Sequence, residues 1–317
     1  MPNLKLRGTF GTSFRAPSFT ETRQGPGVTS YFAYALSDPA SPSGTTYGLI
    51  LSGNKPGIGP ERATSWTAGA DFRSGGFSAQ VTYFDIDYRD RITNPATGLT
   101  TFLINRTLYA PIIDANPDRA AIAAYFASPF YGNYFGITAA QIGVIVDARR
   151  QNLSSQHQRG IDVDLGYRFD LAGGDFELGA SGSYLVHYSQ KLTASSPSIT
   201  LVDTLGYPPD LRVRGRALYT SGGSGVAVFA NYLDGYTNNS TGPLQQVGSW
   251  LTLDAQLSHR FQGGLLRNLK VALNVANLLD ADPPLTVARS AFTTIGIDLE
   301  NASPAGRIVS FQLSKQW

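Results

Sequence analysis

Cysteine is absent from the 317 residues, which excludes disulfides, thiolate metal sites and a cysteine nucleophile. Charge is scarce too: Asp, Glu, Lys and Arg make up 15% of the chain, against roughly 25% in soluble globular domains. The 25 basic and 23 acidic residues nearly cancel, so no broad field exists to hold a polyanion and no nucleic-acid partner is expected. No stretch approaches the roughly 18 consecutive apolar residues of a membrane-spanning helix, and the opening "MPNLKLRGTF" lacks the apolar core of a secretory signal. His157, His187 and His259 lie far apart, and no HExxH spacing, G-x-S-x-G elbow or phosphate-binding loop occurs. The chain therefore reads as no enzyme, with no catalytic residue, metal site or cofactor expected.

What is plentiful is glycine, at 34 residues, and aromatic side chains, at 11%. They sit in long stretches of period two. In "GIDVDLGYRFD" Ile161, Val163, Leu165, Tyr167 and Phe169 share one face, and Asp162, Asp164, Gly166, Arg168 and Asp170 share the other. "FELGASGSYLVHYSQ" and "WLTLDAQLSHRF" repeat the split, and weaker copies bring the total to about ten strands of roughly 9 to 13 residues, the length of a tilted strand crossing a bilayer. Soluble strands average about 5 to 6 residues. "FSAQVTYFDIDYRD" changes phase near Tyr83 and Phe84, as at a bulge or where a strand leaves an apolar zone.

Connections fall into two classes. "RSGG", "DLAGGD", "TSGGSG" and "FQGGLLRN" are tight, whereas the stretches near 15–60, 92–154, 189–209, 235–248 and 281–305 are long and rich in Gly, Pro, Ser and Thr. Within 92–154, "DRAAIAAYFAS" and "ITAAQIGVIVDARR" read as short helices packing on each other or over a barrel mouth, the second with Thr138 as N-cap. Short turns at one end and long loops at the other describe an all-β, antiparallel transmembrane barrel. A soluble antiparallel sheet also alternates. Strand length, the two loop classes and aromatics near strand ends (Phe72, Phe77, Phe169, Phe176, Tyr188, Trp250, Phe261 and Trp317) favour the membrane, where such rings form interfacial girdles.

Several motifs, taken in order, resemble the C-terminal half of TonB-dependent outer-membrane receptors: "LRGTFGTSFRAPSFTE", "PERATSWTAGADF", "RGIDVDLGYRF", "LNVANLLDADPP" and the terminal "GRIVSFQLSKQW". That resemblance implies a plugged barrel of about 22 strands in the Gram-negative outer membrane. It also implies active import of a scarce nutrient such as a ferric siderophore, cobalamin or an oligosaccharide. The implied partners are outer-membrane lipid, the plug and the remaining barrel strands, the TonB complex and the barrel-assembly machinery. Val309, Phe311, Leu313 and Trp317 match the alternating signal read during barrel insertion, while Lys315 departs from the usual apolar residue. With about ten strands and no plug, TonB-contact segment or leader, residues 1–317 read as a fragment of such a barrel, not transport-competent alone. A passive porin-like channel and a soluble all-β binding module are the alternative readings.

Candidate site residues follow from sidedness. Arg212, Arg214 and Arg216 line one side of "LRVRGRALY", and Asp162, Asp164, Arg168, Asp254 and Arg260 share that side on other strands, so all eight are expected to face the lumen or plug. Ligand contacts are expected in the long loops, with Tyr31, Tyr34, Tyr131 and Tyr134 as candidate stacking rings.

Overall fold

The computed structural model describes residues 3–95, 101–240, 243–287 and 296–315. Strands are numbered in chain order. Ten of them follow one another across a single antiparallel sheet: β1 (Leu4–Arg15), β4 (Glu61–Ser74), β5 (Phe77–Thr93), β9 (Gln151–Leu171), β10 (Gly174–Lys191), β12 (Leu211–Ser221), β13 (Ser224–Leu233), β16 (Trp250–Arg260), β17 (Leu269–Ala276) and β18 (Ile308–Lys315). Neighbours in the sheet are neighbours in the chain apart from loop insertions, as in an up-and-down barrel wall. β11 (Ile199–Thr200) adds two residues beside β10, and β14 (Tyr236–Asn238) pairs with β15 (Gln245–Val247) as a small hairpin.

Register aligns the sequence alternation into continuous faces, because residues directly opposite in a ladder point the same way. On β9, Ile161, Val163, Leu165 and Tyr167 face Tyr83, Val81, Ala79 and Phe77 of β5, and Tyr184, Gly182, Ala180 and Leu178 of β10. The other face carries Asp162 and Asp164 beside Thr82, Gln80, Ser183 and Ser181. The apolar face is bare: Leu6 is 74% exposed, Phe10 75%, Leu251 55% and Phe311 66%. A soluble sheet would bury such a face, whereas here it extends from β1 to β18 and calls for a hydrocarbon solvent.

Aromatic rings border this face. At the end with short turns Phe72, Phe77, Tyr167, Phe169, Phe176 and Tyr219 form a row, with Phe169 and Phe176 5.1 Å apart. At the loop end Trp66 and Tyr83 pack at 5.1 Å. From Phe176 to Tyr184 a strand rises about 27 Å, which a tilt of about 40° reduces to about 20 Å, close to a barrel's apolar band. Trp250 and Tyr188 do not belong to these girdles, because register puts Trp250 opposite Leu233, in the Arg212 row of the polar face, and Tyr188 opposite Gln158 on that face. Pairing between β5 and β9 is unbroken from Phe77 to Tyr88, so the phase change near Tyr83 is the strand leaving the apolar zone. The bulges lie farther on, between Tyr88 and Arg91 and between Leu185 and His187.

The turns explain the tight connections. Gly222 and Gly223, at φ 56° and 87°, close the β12–β13 hairpin with the positive φ pair that matches strand twist. Among the described residues β1 pairs only with β4 and β18 only with β17, so the sheet is an open wall.

The buried core lies in the loops. β2 (Ser30–Ser37) and β3 (Thr45–Ser52) from the first long loop join β6 (Ile113–Asp114), β7 (Tyr131–Gly132) and β8 (Val144–Asp147) from the second in one mixed sheet, ordered β6-β8-β3-β2-β7. One cluster, including Leu36, Ile50, Phe102, Tyr109 and Val146, takes in α2 (Arg106–Tyr109); a second, including Ala33, Leu49, Leu51, Ile122 and Ile142, takes in α3 (Arg119–Phe126). The short α1 (Phe19–Thr22) lies between β1 and β2. Asp118 caps α3 by accepting from the Ala120 N–H. The second expected helix is corrected: Thr138 and Gln141 cap only a single 3-10 turn, after which Val144–Asp147 forms a strand. Its β-branched run is better satisfied by pairing with β3 and β6 than by a helix. The two helical pieces meet through the second cluster against this sheet.

Candidate functional site

The polar face of the wall carries an ionic lattice. Arg216 reaches Glu177 through Nε at 3.1 Å and Asp164 through Nη1 at 3.3 Å, and Arg168 Nε donates to the same Glu177 at 2.6 Å. Arg212 donates to Asn301 of the last loop, and Arg214 lies 4.3 Å from the centroid of Phe229. Asp254 accepts from the Asn231 side chain at 2.8 Å and from the Asn277 N–H at 3.0 Å. Arg7 extends the lattice to Asp71 and Thr82. Arg260 sits opposite Lys270 at the turn end. All eight expected residues therefore share one face, but they do not form one cluster. Asp162, Asp164, Arg212 and Arg214 line a cavity of about 720 Å³ with Trp250, whose indole N–H is buried without a partner among the described residues. Glu177, which ties Arg168 to Arg216, shares the polar face of β10 with Asp175, and only register shows which of the two acids meets the arginines.

A second centre explains why two sequence motifs occur together. Arg15 of "FRAP" and Glu61 of "PE" are register partners at the loop end of β1 and β4. Glu61 is buried and accepts from Arg15 Nε at 2.6 Å, Tyr88 Oη at 2.5 Å and Ile92 N–H at 2.8 Å. Arg15 also grips Glu21, whose carboxylate receives the Ser18 N–H at the start of α1. Asp280 of "NLLD" likewise accepts the Arg307 N–H of "GR" at 2.8 Å and fixes the entry to β18. These residues are clamps that set where loops leave the wall.

Of the loop tyrosines, Tyr31 packs edge-on against Tyr125 at 5.1 Å and Tyr131 stacks on Phe126 at 4.2 Å, both within the second core cluster. Tyr34 meets Phe135 at 5.3 Å, and Tyr134 is 70% exposed. Val309, Phe311 and Leu313 lie on the apolar face opposite Val275, Leu273 and Val271, while Trp317 lies outside the described residues.

The loop cap is held by carboxylates that titrate. Arg15 holds Glu21 down to about 2 against an ordinary value of 4.5. Burial pushes Asp38 and Asp147 upward, but Thr46 and Arg106 on the one, and Arg149 and Lys55 on the other, outweigh it and lower both. Depressed carboxylates stabilise above their unfolded value and lose that stabilisation as pH falls through the folded one. Hydrogen exchange across 16–60 and 101–150 is therefore expected to quicken between about pH 4.5 and 2 while β12 and β13 stay protected; equal acceleration in both regions would contradict this.

A sheet with a bare apolar face, aromatic borders, a polar ionic face, short turns at one end and long loops at the other defines a segment of a transmembrane β-barrel wall. The family model for TonB-dependent receptor-like β-barrels matches residues 1–278, and the chain belongs to that family. Its barrels reside in the outer membrane of Gram-negative bacteria. A mutant of the ferric enterobactin receptor from Pseudomonas aeruginosa has a similar fold, with 16% identity, a TM-score of 0.59 and coverage of 99% of this chain and 38% of its own. A siderophore receptor from Acinetobacter baumannii aligns at 15% identity and TM-score 0.57, covering 99% and 39%, and a copper transporter at 14% and 0.52, covering 98% and 38%. The chain thus spans under two fifths of the solved structures it matches. A comparison with curated proteins found no match. The family and these neighbours are receptors and transporters.

Proposed function

We propose that this wall belongs to a plugged outer-membrane receptor that actively imports a scarce nutrient, such as a ferric siderophore, cobalamin or an oligosaccharide, with energy delivered through TonB. In this reading the long loops face the outside, the short turns face the periplasm, and residues 1–317 are part of a longer protein whose other portions supply the plug and remaining strands. The observation that carries it is the polar face: Arg212 and Arg214, two residues apart on β12, line a cavity wall beside a buried indole donor, and among the described residues no carboxylate bonds to either. A plug segment bearing carboxylates and backbone carbonyls would satisfy those donors, through contacts that can be remade when the plug shifts.

Replacing Arg212, Arg214 and Arg216 by Gln in the full-length receptor is expected to loosen the plug. Leakage of large hydrophilic antibiotics through the outer membrane should rise, and uptake abolished by a protonophore should fall. Unchanged leakage together with unchanged uptake would reject the plug role. Uptake insensitive to the protonophore would instead favour a passive channel.

A further inference from the structure

We propose that the cargo of this wall is a zwitterionic amino-carboxylate bearing an apolar group, an amino-acid-like molecule seated on one register row at the loop end of the polar face. This rests on the receptor reading above and names its substrate class. The row runs through Asp162 on β9, Ser183 on β10 and Arg212 on β12, each directly opposite the next. One step toward the turns, Asp164, Ser181 and Arg214 repeat the same order. Carboxylates therefore form one rail, guanidinium groups the other, and small hydroxyl side chains the floor between them. Adjacent strands lie about 4.8 Å apart, so the two rails are about 9.6 Å apart at the backbone. An ammonium and a carboxylate carried by one small molecule fit across that gap, each against its opposite charge.

The charges of the row are free to take a ligand. Among the described residues Asp162 has no hydrogen bond or ion pair, Arg212 donates only to the neutral amide of Asn301 at 2.5 Å, and Arg214 has only the face of Phe229. Farther along the row, past Asp162, Arg7 is already bonded to Asp71 and Thr82. Arg212 carries five donor hydrogens, so cargo arriving from the loops and a plug lying deeper can share it. The cavity's charged residues, Asp162 and Asp164 against Arg212 and Arg214, sum to zero, and this separates cargo classes. A polyanionic chelate would meet two carboxylates beside the two arginines, and an uncharged sugar would desolvate all four without a counter-charge. A zwitterion does neither. The apolar group has its own place: Asp162, Ser183 and Arg212 also line a second cavity of about 380 Å³, whose other walls include Phe84, Leu185 and Pro208. Phe84 and Leu185 both stand opposite Gly160, two residues toward the loops from Asp162 and on the same face. A Cβ on Gly160 would fall 2.7 Å from the Phe84 ring, so glycine lets that ring lie against β9.

The test titrates the full-length receptor in nanodiscs with three probes, read by calorimetry: alanylphenylalanine, its C-terminal amide, which keeps only the cation, and its N-acetyl form, which keeps only the anion. The zwitterion is expected to bind about tenfold more tightly than either analogue, the worth of one charge-assisted hydrogen bond. Arg212→Gln is expected to bring the zwitterion down to the level of the amide while leaving the amide itself unchanged. Asp162→Asn should do the same with the N-acetyl form. A variant that merely folds poorly would weaken all three probes together, so the crossed pattern separates lost charge from lost structure. No binding of the zwitterion, equal binding of the three probes, or parallel loss of all three in both variants would overturn the proposal. Binding needs no energy source, which keeps this result apart from the receptor reading. Uptake insensitive to a protonophore would reject active import without touching the titration, whereas energised uptake by a receptor that ignores the zwitterion would reject only the cargo assigned here.

Discussion

Leu165→Lys is expected to cost the barrel about 2–4 kcal/mol of folding stability in a bilayer, because the side chain sits midway between the two aromatic borders on the face that meets hydrocarbon. Its neighbours there are Ala79 and Ala180, which offer no counter-charge. Gln80→Lys, one row away on the opposite face, is expected to change stability by no more than about 0.5 kcal/mol. Gln80 lies between Asp71 and Asp164 in the register, so a lysine there gains acidic neighbours instead of entering lipid. Urea unfolding of the full-length protein in vesicles measures both. Comparable losses for the two variants would show that the faces do not differ in solvent.

Glu61→Leu is expected to release the loop cap from the wall and cost about 2–4 kcal/mol. The substitution leaves the Ile92 N–H and Tyr88 O–H without an acceptor, at about 1–3 kcal/mol for each buried group, and removes the carboxylate from Arg15. The full penalty of breaking a buried pair, about 3–5 kcal/mol, does not apply, because the Arg15 side chain is 44% exposed and water rescues part of its charge. Hydrogen exchange should reveal the loss as faster opening at 16–24 and 88–95, with β12 and β13 unaffected. Unchanged protection of those two segments would contradict the clamp.

The wall was readable from sequence because period-two patterning and strand pairing obey the same geometry. Ile161 to Phe169 declare their face without any partner being known, and register merely joins one declared face to the next. The ionic lattice was half readable: the arginines of β12 announce a side, but which acid each meets depends on stagger between strands, as with Glu177. The clamps showed only as motifs, since nothing local says that Arg15 and Glu61, separated by a long loop, are opposite one another. The cap was least readable. Val144–Asp147 follows a capped turn and an alanine-rich stretch, local signals for a helix, and its β-branched residues become a strand only because β3 from another loop offers a parallel edge. Trp250 and Tyr188 were misplaced for a related reason: nearness to a strand end suggests a girdle, whereas parity decides the face.

The central claim is that one face of this sheet meets acyl chains and the other meets water in an enclosed hollow. Residues 1–317 contain no cysteine, so single nitroxide labels can be placed at 161, 162, 163, 164 and 165 of the full-length receptor in vesicles once any cysteine outside this stretch has been replaced by serine. Collision with oxygen should peak at positions 161, 163 and 165, and collision with a water-soluble nickel chelate should peak at 162 and 164. Loss of the alternation, or both reagents favouring the same positions, would contradict a membrane-spanning wall.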